Sequence, residues 1–444
     1  MNNKWTILFS IFAILSSITS LFEANYMYIP FIIYLIFLIL KKKKSLADLI
    51  NLSVYSLLLP SNYVIIFIGV VIFFIYIIKN TFNKKEKKYY IFSIIVIIYI
   101  IINIIINQTS IKYIAFFLIY SGGFFIWYII FRDNNLIKNS DNKYVLQTID
   151  SFIIIEFIYT LSKVIFHLNY VIKNIDIDWS SGTLGIFQGN ILMIICTCCF
   201  VRYIYEINVN FNKRYIKYAI MSILLAISTA CISNLVIFIL SLVIYSILFT
   251  RGFINKIKML SIIMIIGLIF SPFATEWVRS DLEATFNLNN IDYKFKKIKT
   301  YKDTFVNIPK EDIKFLLLGA GIGNYSSRTA LTLTGEYIES YNSFFVPETT
   351  RYTNDYILAN WIRDKNIDGG GVRNVPWSSI ISIMGEFGLV GLIMFFVFFL
   401  NLLLKVKSYK KILILFFLGI CFMDNWVEYY KVTFILWSMI FIDY

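Results

Sequence analysis

Four arginines in one polar stretch of the chain carry the most informative chemistry: Arg328, Arg351, Arg363 and Arg373. Aromatic side chains accompany them at Tyr341, Tyr352, Tyr356 and Trp361. An arginine fork binds phosphate oxygens through two parallel hydrogen bonds, and an aromatic face stacks on a sugar or on a guanidinium. The pattern indicates that at least one of these arginines binds an anionic substrate. For any single arginine, the alternative is an ordinary solvated loop charge.

Carboxylates in the same stretch are candidate proton acceptors: Glu348, Asp355 and Asp364. The sequence does not distinguish among these three. They form no D-x-D-like pair for a divalent ion, and no cluster has zinc-ligand spacing. The chain has one histidine, His167, which lies outside the stretch and leaves a serine or cysteine nucleophile without a base. We therefore predict no metal, no cofactor and no nucleophilic triad.

Glycines punctuate the chain at two places. Gly319, Gly321 and Gly323 precede Asn324, and such a turn can present backbone N–H groups to phosphate oxygens. No Gly-Lys-Ser/Thr follows, so this is not a Walker loop, and a plain tight turn is the alternative. The second place is 179–190, where Thr183 is a candidate helix cap and Asn190 opens an apolar run. It is predicted to be either a turn before a helix or part of a substrate groove.

Glu386 lies about ten residues into an apolar run, where an ionised side chain is costly. It is therefore either a substrate-binding residue or a structural carboxylate satisfied by partners within the protein. Glu156 poses the same question in an earlier run.

The elements that position these residues are apolar throughout. Apolar residues make up 59% of the 444 residues and charged residues 15%, and mean hydropathy is +0.72. A soluble domain carries about 25% charged residues. Successive continuous runs of roughly 17 or more apolar residues match the length of a membrane-spanning helix and not the alternation of a β-barrel strand. We predict an all-α polytopic integral membrane protein with about fourteen (12–14) transmembrane helices.

The distribution of charge predicts the orientation. Twenty-four lysines and arginines fall in alternate connections and their flanks, including 41–44 and 79–88, and three fall in the others. By the positive-inside rule, both termini are cytoplasmic. The polar stretch 274–376 holds thirteen basic and thirteen acidic residues and is predicted to be one large extracytoplasmic loop before the twelfth helix. The net charge of +14 therefore reflects membrane topology, and we expect no nucleic acid partner.

This gives one membrane domain in three parts. Residues 1–273 are predicted to hold helices 1–11, residues 274–376 the large loop, and residues 377–444 helices 12–14. The run 46–60 is short, and a re-entrant hairpin with 62–78 is the alternative to two crossings. No internal repeat or pair of broken helices, the features typical of a transporter, is recognisable.

The order of these features resembles the O-antigen polymerase and O-antigen ligase superfamily of bacterial envelope proteins. The resemblance rests on Gly182-Thr183-Leu184-Gly185 with Asn190, on Leu318 to Asn324 within one large loop, and on Glu386-Phe387-Gly388-Leu389-Val390-Gly391. It spans about residues 180–400. It implies a metal-independent glycosyltransferase of the bacterial inner membrane, acting on oligosaccharides linked to undecaprenyl pyrophosphate. Extracytoplasmic arginines would hold the pyrophosphate.

The resemblance favours a polymerase that builds O-antigen or capsular polysaccharide from repeat units, with a chain-length regulator and a flippase as possible partners besides membrane lipid. Ligase relatives carry a histidine about nine residues before the Glu-x-Gly glutamate, and that place falls at Trp377 here. An arginine often found before the Gly-Thr pair is replaced by Ser180 or Ser181. The alternatives are a ligase that transfers glycan to lipid A-core, and a lipid-linked oligosaccharide flippase.

Overall fold

A computed structural model describes residues 2–20, 24–41, 45–60, 63–79, 87–132, 139–166, 182–184, 188–210, 212–229, 231–250, 261, 296–335, 347–361, 375–406 and 409–442. All regular secondary structure in these ranges is helical. Long apolar stretches with few glycines and prolines favour helix, because a helix satisfies every backbone polar group internally.

The helices before the polar segment 274–376 are α1 (Asn2–Ser20), α2 (Tyr28–Leu40), α3 (Leu46–Ser56), α4 (Tyr63–Lys79), α5 (Lys87–Asn107), α6 (Ile111–Arg132), α7 (Asn139–Phe166), α8 (Gly189–Asn210), α9 (Arg214–Ser228) and α10 (Ile232–Phe249). Short 3₁₀ turns occur at Ala24–Met27 and Gly182–Leu184.

Within the polar segment the helices are short: α11 (Lys296–Lys302), α12 (Ile308–Glu311), α13 (Ile313–Leu318), α14 (Arg328–Leu333) and α15 (Ala359–Trp361), with π-helical turns at Asp303–Asn307 and Thr353–Leu358. After it come α16 (Ser379–Lys405), α17 (Lys410–Ile420), a 3₁₀ turn at Trp426–Glu428, and α18 (Tyr430–Phe441).

Four helical stretches among the described residues are long and apolar enough to cross a membrane: Ile111–Arg132, Asn142–Lys163, Gly189–Asn208 and Ser379–Lys405. Shorter apolar helices accompany them, for example Tyr63–Ile75 and Ser233–Phe249. The predicted all-α fold is therefore confirmed for the described residues, and the apolar helices are compatible with a membrane protein. The count of fourteen crossings stays a prediction.

Helix α3 covers only Leu46–Ser56 of the run 46–60, which is about 17 Å and well short of a hydrocarbon core of about 30 Å. The chain then turns through buried residues 57–59. The buried Lys431 Nζ donates to the Leu59 carbonyl at this turn. Lys431 is one of the three basic residues that the charge pattern assigns to the other connections, and it lies buried in the first turn of α18.

Aromatic side chains pack the last helix, α18, against helices from the first half of the chain. Helix α18 packs against α6 and α8. Trp437 contacts the ring of Phe124 with a centroid separation of 5.1 Å and donates its indole N–H to the Phe124 carbonyl at 2.9 Å. Large buried rings dominate such cores because each removes about 150–250 Å² from contact with the surroundings.

A buried ion pair joins α7 to α8. Arg202 Nη1 lies 3.1 Å from Asp150 Oδ1, and Tyr203 donates its hydroxyl to the same carboxylate oxygen at 2.9 Å. Arg202 lies within α8, which continues as far as Asn210. The charge is tolerated inside the helical body because the carboxylate of Asp150 neutralises it.

We expect Arg202→Met to destabilise the protein by about 3–5 kcal/mol, because it leaves the Asp150 carboxylate buried without its cation. Thermal unfolding of the detergent-solubilised protein measures the effect. The double variant Arg202→Met/Asp150→Asn should recover most of the lost stability. If the double variant is as unstable as the single one, packing at this position and not the charge is responsible.

Candidate functional site

The described part of the polar segment packs directly against the long apolar helices. Helix α13 packs along α16, and α14 packs against α6. Tyr120 of α6 forms a hydrogen bond of 3.1 Å with Thr332 of α14. Tyr120 lies about 13 Å along α6 from Ile111. Residues 313–335 are therefore inserted between the helices.

The helix that receives this insertion is broken. In α16, Gly388 has φ 64° and ψ −167°, a conformation open essentially only to glycine. Its counterpart across the contact is Gly319, with φ 72° and ψ −171° at the end of α13. A Cβ on Gly319 would overlap the Glu386 carbonyl group, and a Cβ on Gly388 would overlap the Leu317 carbonyl group. The two backbones therefore touch without side chains between them. The break in α16 at Gly388 was not predicted from the sequence.

Carbonyl groups in the turn before the break find partners outside the helix. The Gly385 carbonyl accepts from Ala320 N–H at 2.7 Å, and the Glu386 carbonyl accepts from Gly321 N–H at 3.2 Å. Asn103 of α5 donates to the Glu386 carbonyl at 3.2 Å and to the Leu318 carbonyl at 2.6 Å. A helix break inside an apolar body is tolerated when other protein groups satisfy the freed backbone in this way.

The Glu386 carboxylate is enclosed by the glycine-rich segment. Its two oxygens accept backbone N–H groups from Gly323 at 2.7 Å, from Ser327 at 3.2 Å and from Tyr325 at 3.4 Å. Glu386 is 1% exposed. A concave array of N–H groups binds an anion, and here that anion is the chain's own carboxylate. This geometry corresponds to the structural alternative for Glu386, with the glycine-rich segment as its partner.

We expect Gly388→Ala to destabilise the protein by about 1–3 kcal/mol from backbone strain alone, with the overlap against Leu317 adding to the loss. The measurement is the thermal unfolding midpoint in detergent.

Gly189→Ala is the matched control for this glycine substitution. Gly189 opens α8, and the nearest atoms to an added Cβ lie 3.6 Å away, an ordinary contact. An unchanged midpoint in Gly388→Ala would show that the break in α16 does not depend on glycine.

Arg328 is the one described arginine of the four sequence candidates that lies inside the structure. Its guanidinium carbon is 4.4 Å from the ring centroid of Tyr429 and 5.3 Å from that of Tyr120. A cation between two aromatic faces is held in place by attraction to both rings. The arginine is thus positioned where the polar segment, α6 and the connection between α17 and α18 meet.

Glu428 lies beside Arg328 and is buried. Its Oε2 accepts the backbone N–H of Arg328 at 2.7 Å. Burial raises the pKa of Glu428 to about 8, and the nearby charge of Glu386 adds to the increase, while Arg328 opposes it. A carboxyl group with a pKa near neutrality can both accept and release a proton under physiological conditions.

Glu428 was not among the residues predicted from the sequence. It lies in the connection 421–429 between α17 and α18. Two acids, Asp424 and Glu428, flank Trp426 in this connection. Acidic residues beside an aromatic ring, between two apolar runs, are a sequence pattern from which a functional site in this connection could have been predicted.

A network of hydrogen bonds fixes the connection 421–429 to α16 and to the polar segment. Asn425 donates to the Ser326 carbonyl at 3.0 Å and accepts from the Ser382 hydroxyl at 3.0 Å. Ser379 donates to the Asp424 carbonyl at 3.1 Å. Glu428 is therefore carried on a backbone held at several points, as a positioned proton acceptor requires.

Three predicted catalytic residues lie on the surface. Arg351 has 79% of its side-chain surface exposed and pairs with Asp355 at 3.7 Å. Glu348 is 45% exposed and lies 3.3 Å from Lys112. Exposed pairs of this kind contribute about 0–1 kcal/mol. The structure does not place these three side chains with Arg328 and Glu428.

Asn324 and Asn190 are separated from each other. Asn324 is buried in the glycine-rich segment, and its carbonyl accepts hydroxyl groups from Thr350 at 2.8 Å and Thr353 at 2.9 Å. Asn190 accepts from the side chain of Asn234 in α10 at 3.0 Å. The remaining predicted residues Arg363, Asp364 and Arg373, like His167, lie outside the described residues.

Glu156 of α7 repeats the arrangement found at Glu386. It is fully buried, and it accepts the backbone N–H of Thr183 at 3.0 Å together with the Thr183 hydroxyl. Gly182, with φ 64°, allows the close approach, since a Cβ there would overlap the Glu156 carboxylate. Glu156 and Glu386 thus each bind a glycine-containing segment, and Thr183 is a hydrogen-bond donor to Glu156.

Within the described ranges, no group of three or more His, Cys, Asp or Glu side chains is arranged to hold a metal ion. Comparison of the chain with family models, with curated proteins and with solved structures finds no match.

Proposed function

We propose that this protein is a membrane glycosyltransferase that polymerises lipid-linked oligosaccharide repeat units into O-antigen or capsular polysaccharide. The observation that carries the proposal is that Arg328, whose guanidinium is held between two tyrosine rings, donates its backbone N–H to the buried carboxyl group of Glu428. A fixed cation and a proton acceptor are the two groups that a glycosyl transfer from a pyrophosphate needs.

The proposal includes the topology. About fourteen crossings, both termini in the cytoplasm and residues 274–376 on the far side of a bacterial inner membrane agree with the distribution of lysine and arginine. In this orientation, the ends of α5 and α6 at residues 107–111 face outward. Arg328 and Glu428 are then reached from the side to which undecaprenyl-pyrophosphate-linked repeat units are delivered.

In the proposed reaction, a hydroxyl oxygen of one lipid-linked glycan attacks the anomeric carbon of another. The bond between that carbon and the pyrophosphate oxygen breaks, and the electron pair leaves with undecaprenyl pyrophosphate. Glu428 takes the proton of the attacking hydroxyl. Arg328 binds the leaving pyrophosphate and stabilises the negative charge that develops on it. The acceptor glycan leaves one repeat unit longer for each transfer.

The pattern of surface glycans in a strain that lacks the gene tests this proposal. Loss of a polymerase leaves single repeat units attached at the surface. Loss of a flippase removes all surface glycan of this type, and loss of a ligase leaves lipid-linked polymer untransferred. Either of the last two patterns contradicts the proposal.

The flippase is the alternative with a specific observation in its favour. Transporters use broken helices to build sites inside the membrane, and α16 is broken at Gly388. The carbonyl groups at this break are bound by Ala320, Gly321 and Asn103 of the protein itself. The break therefore serves to seat the glycine-rich segment, and we favour the polymerase.

A further inference from the structure

We propose that the face of the polar segment formed by α12 and α13 rests on the membrane surface and binds anionic phospholipid headgroups. The proposal does not depend on the reaction that the protein catalyses or on which side of the membrane the segment lies. It concerns Ile313 and Leu317 as apolar contacts, and Lys310 and Lys314 as contacts for headgroups.

The first observation is an apolar face that the protein leaves uncovered. Ile313 is 73% exposed, and Leu317, one turn further along α13, is also exposed. Residues four apart lie on the same side of a helix. The opposite side of α13 is buried through Phe315, whose ring packs against Tyr325 at 5.5 Å. One side of this helix is therefore in the core, and the other presents two large aliphatic side chains.

The second observation is that this face continues a surface of the helical body. Lys314 Nζ lies 3.4 Å from the Ile106 carbonyl in the last turn of α5, and Asn103 donates to the Leu318 carbonyl. Next to this contact, Ile102, Ile105 and Ile106 of α5 are exposed. Exposed isoleucines on an apolar helix of a membrane protein are lipid contacts. Ile313 and Leu317 extend that row at the end of α5.

The third observation is the charge around the apolar face. Residues 296–317 carry six lysines against three acidic residues, whereas 274–376 as a whole is balanced; one of the six, Lys297, is buried and donates to the Trp377 carbonyl. Lys310 and Lys314 are exposed and flank Ile313. Lysine side chains at the rim of an apolar face reach towards lipid phosphates while their methylene groups stay among the acyl chains. This combination is typical of a helix lying in the membrane interface.

The test uses the full-length protein in nanodiscs with an environment-sensitive fluorophore on Ile313→Cys, and for comparison on Arg351→Cys, whose side chain is largely exposed. Four native cysteines are buried and Cys231 is half-buried, so the labelled wild-type protein supplies the background. Brominated phospholipid should quench the label at position 313 several-fold more than the label at 351, and aqueous iodide should show the reverse order. Equal quenching of both labels by iodide, with none by brominated lipid, would overturn the proposal.

The headgroup part is tested with the same label at position 313. Exchanging phosphatidylcholine for phosphatidylglycerol should increase the emission of the label in the otherwise wild-type chain. The increase should be lost in Lys310→Gln/Lys314→Gln, while quenching by brominated lipid persists and shows that the helix is still folded in place. An unchanged response to phosphatidylglycerol in the double variant would overturn the assignment of the lysines to anionic headgroups.

Discussion

Replacing Arg328 with alanine is expected to reduce polymer formation by about 10²–10³-fold, the loss that follows removal of one group that stabilises developing negative charge. The backbone N–H that Arg328 donates to Glu428 is retained in alanine, so this substitution removes the guanidinium and its aliphatic stem but leaves that contact in place. The measurement is the rate at which the purified protein in nanodiscs extends lipid-linked repeat units into a ladder of chain lengths.

Two further substitutions define what the guanidinium does. Arg328→Lys keeps the positive charge but loses the planar fork, so we expect a rate between those of wild type and alanine. Arg351→Ala is the comparison within the polar segment, because that side chain is exposed and its pair with Asp355 is long. We expect Arg351→Ala to polymerise at close to the wild-type rate.

If Arg328→Ala folds with an unchanged unfolding midpoint and still produces wild-type ladders, Arg328 does not bind the pyrophosphate. If Arg351→Ala is the inactive variant, the anion is bound at the surface of the polar segment and the buried cluster is structural. Both proteins are compared at equal amounts in the nanodisc.

Replacing Glu428 with glutamine is expected to lower the rate by about 10²–10⁴-fold, the usual contribution of a general base. The wild-type enzyme should also show a characteristic pH dependence. Burial raises the pKa of Glu428 to about 8, and only the ionised carboxylate accepts the hydroxyl proton. The rate should therefore increase with pH and level off above about 8, falling by about tenfold per pH unit well below that value.

Glu348→Gln is the matched control for this pH profile. It removes a carboxylate of the same polar segment that is nearly half exposed and paired with Lys112. This variant should keep the wild-type profile, whereas Glu428→Gln should be slow and independent of pH over the same range. A profile that survives in Glu428→Gln would mean that another group takes the proton.

The class of the protein was predictable from sequence because the signal for a membrane helix is local. A continuous apolar run is sufficient to indicate a helix, and helices long and apolar enough to cross a membrane are present at Ile111–Arg132, Gly189–Asn208 and Ser379–Lys405. Lengths were less predictable. The run 46–60 gave a helix of only eleven residues, because the turn after Ser56 is stabilised by distant groups such as Lys431.

The sequence by itself also indicated Glu386, because it is a charged residue within an apolar run, and the glycines at 319, 321 and 323, because they are closely spaced. That they form one unit was decided by the tertiary structure. The carboxylate of Glu386 accepts N–H groups from residues about sixty positions earlier in the chain, and the backbone at the Gly388 break lies directly against the backbone of Leu317. Local periodicity contains no information on such a pairing.

The candidate catalytic pair shows the same limit more strongly. Arg328 was predicted from its type and neighbours, as one of four candidate arginines. Glu428 is one hundred residues away in sequence and became its partner only through the packing of the last connection against the polar segment. Burial also decided the acidity of Glu428, since a low dielectric raises the pKa of a carboxyl group whatever its sequence context. Composition and apolar runs thus determined a helical membrane protein with a long polar segment, and long-range packing determined which of its charged residues are buried together.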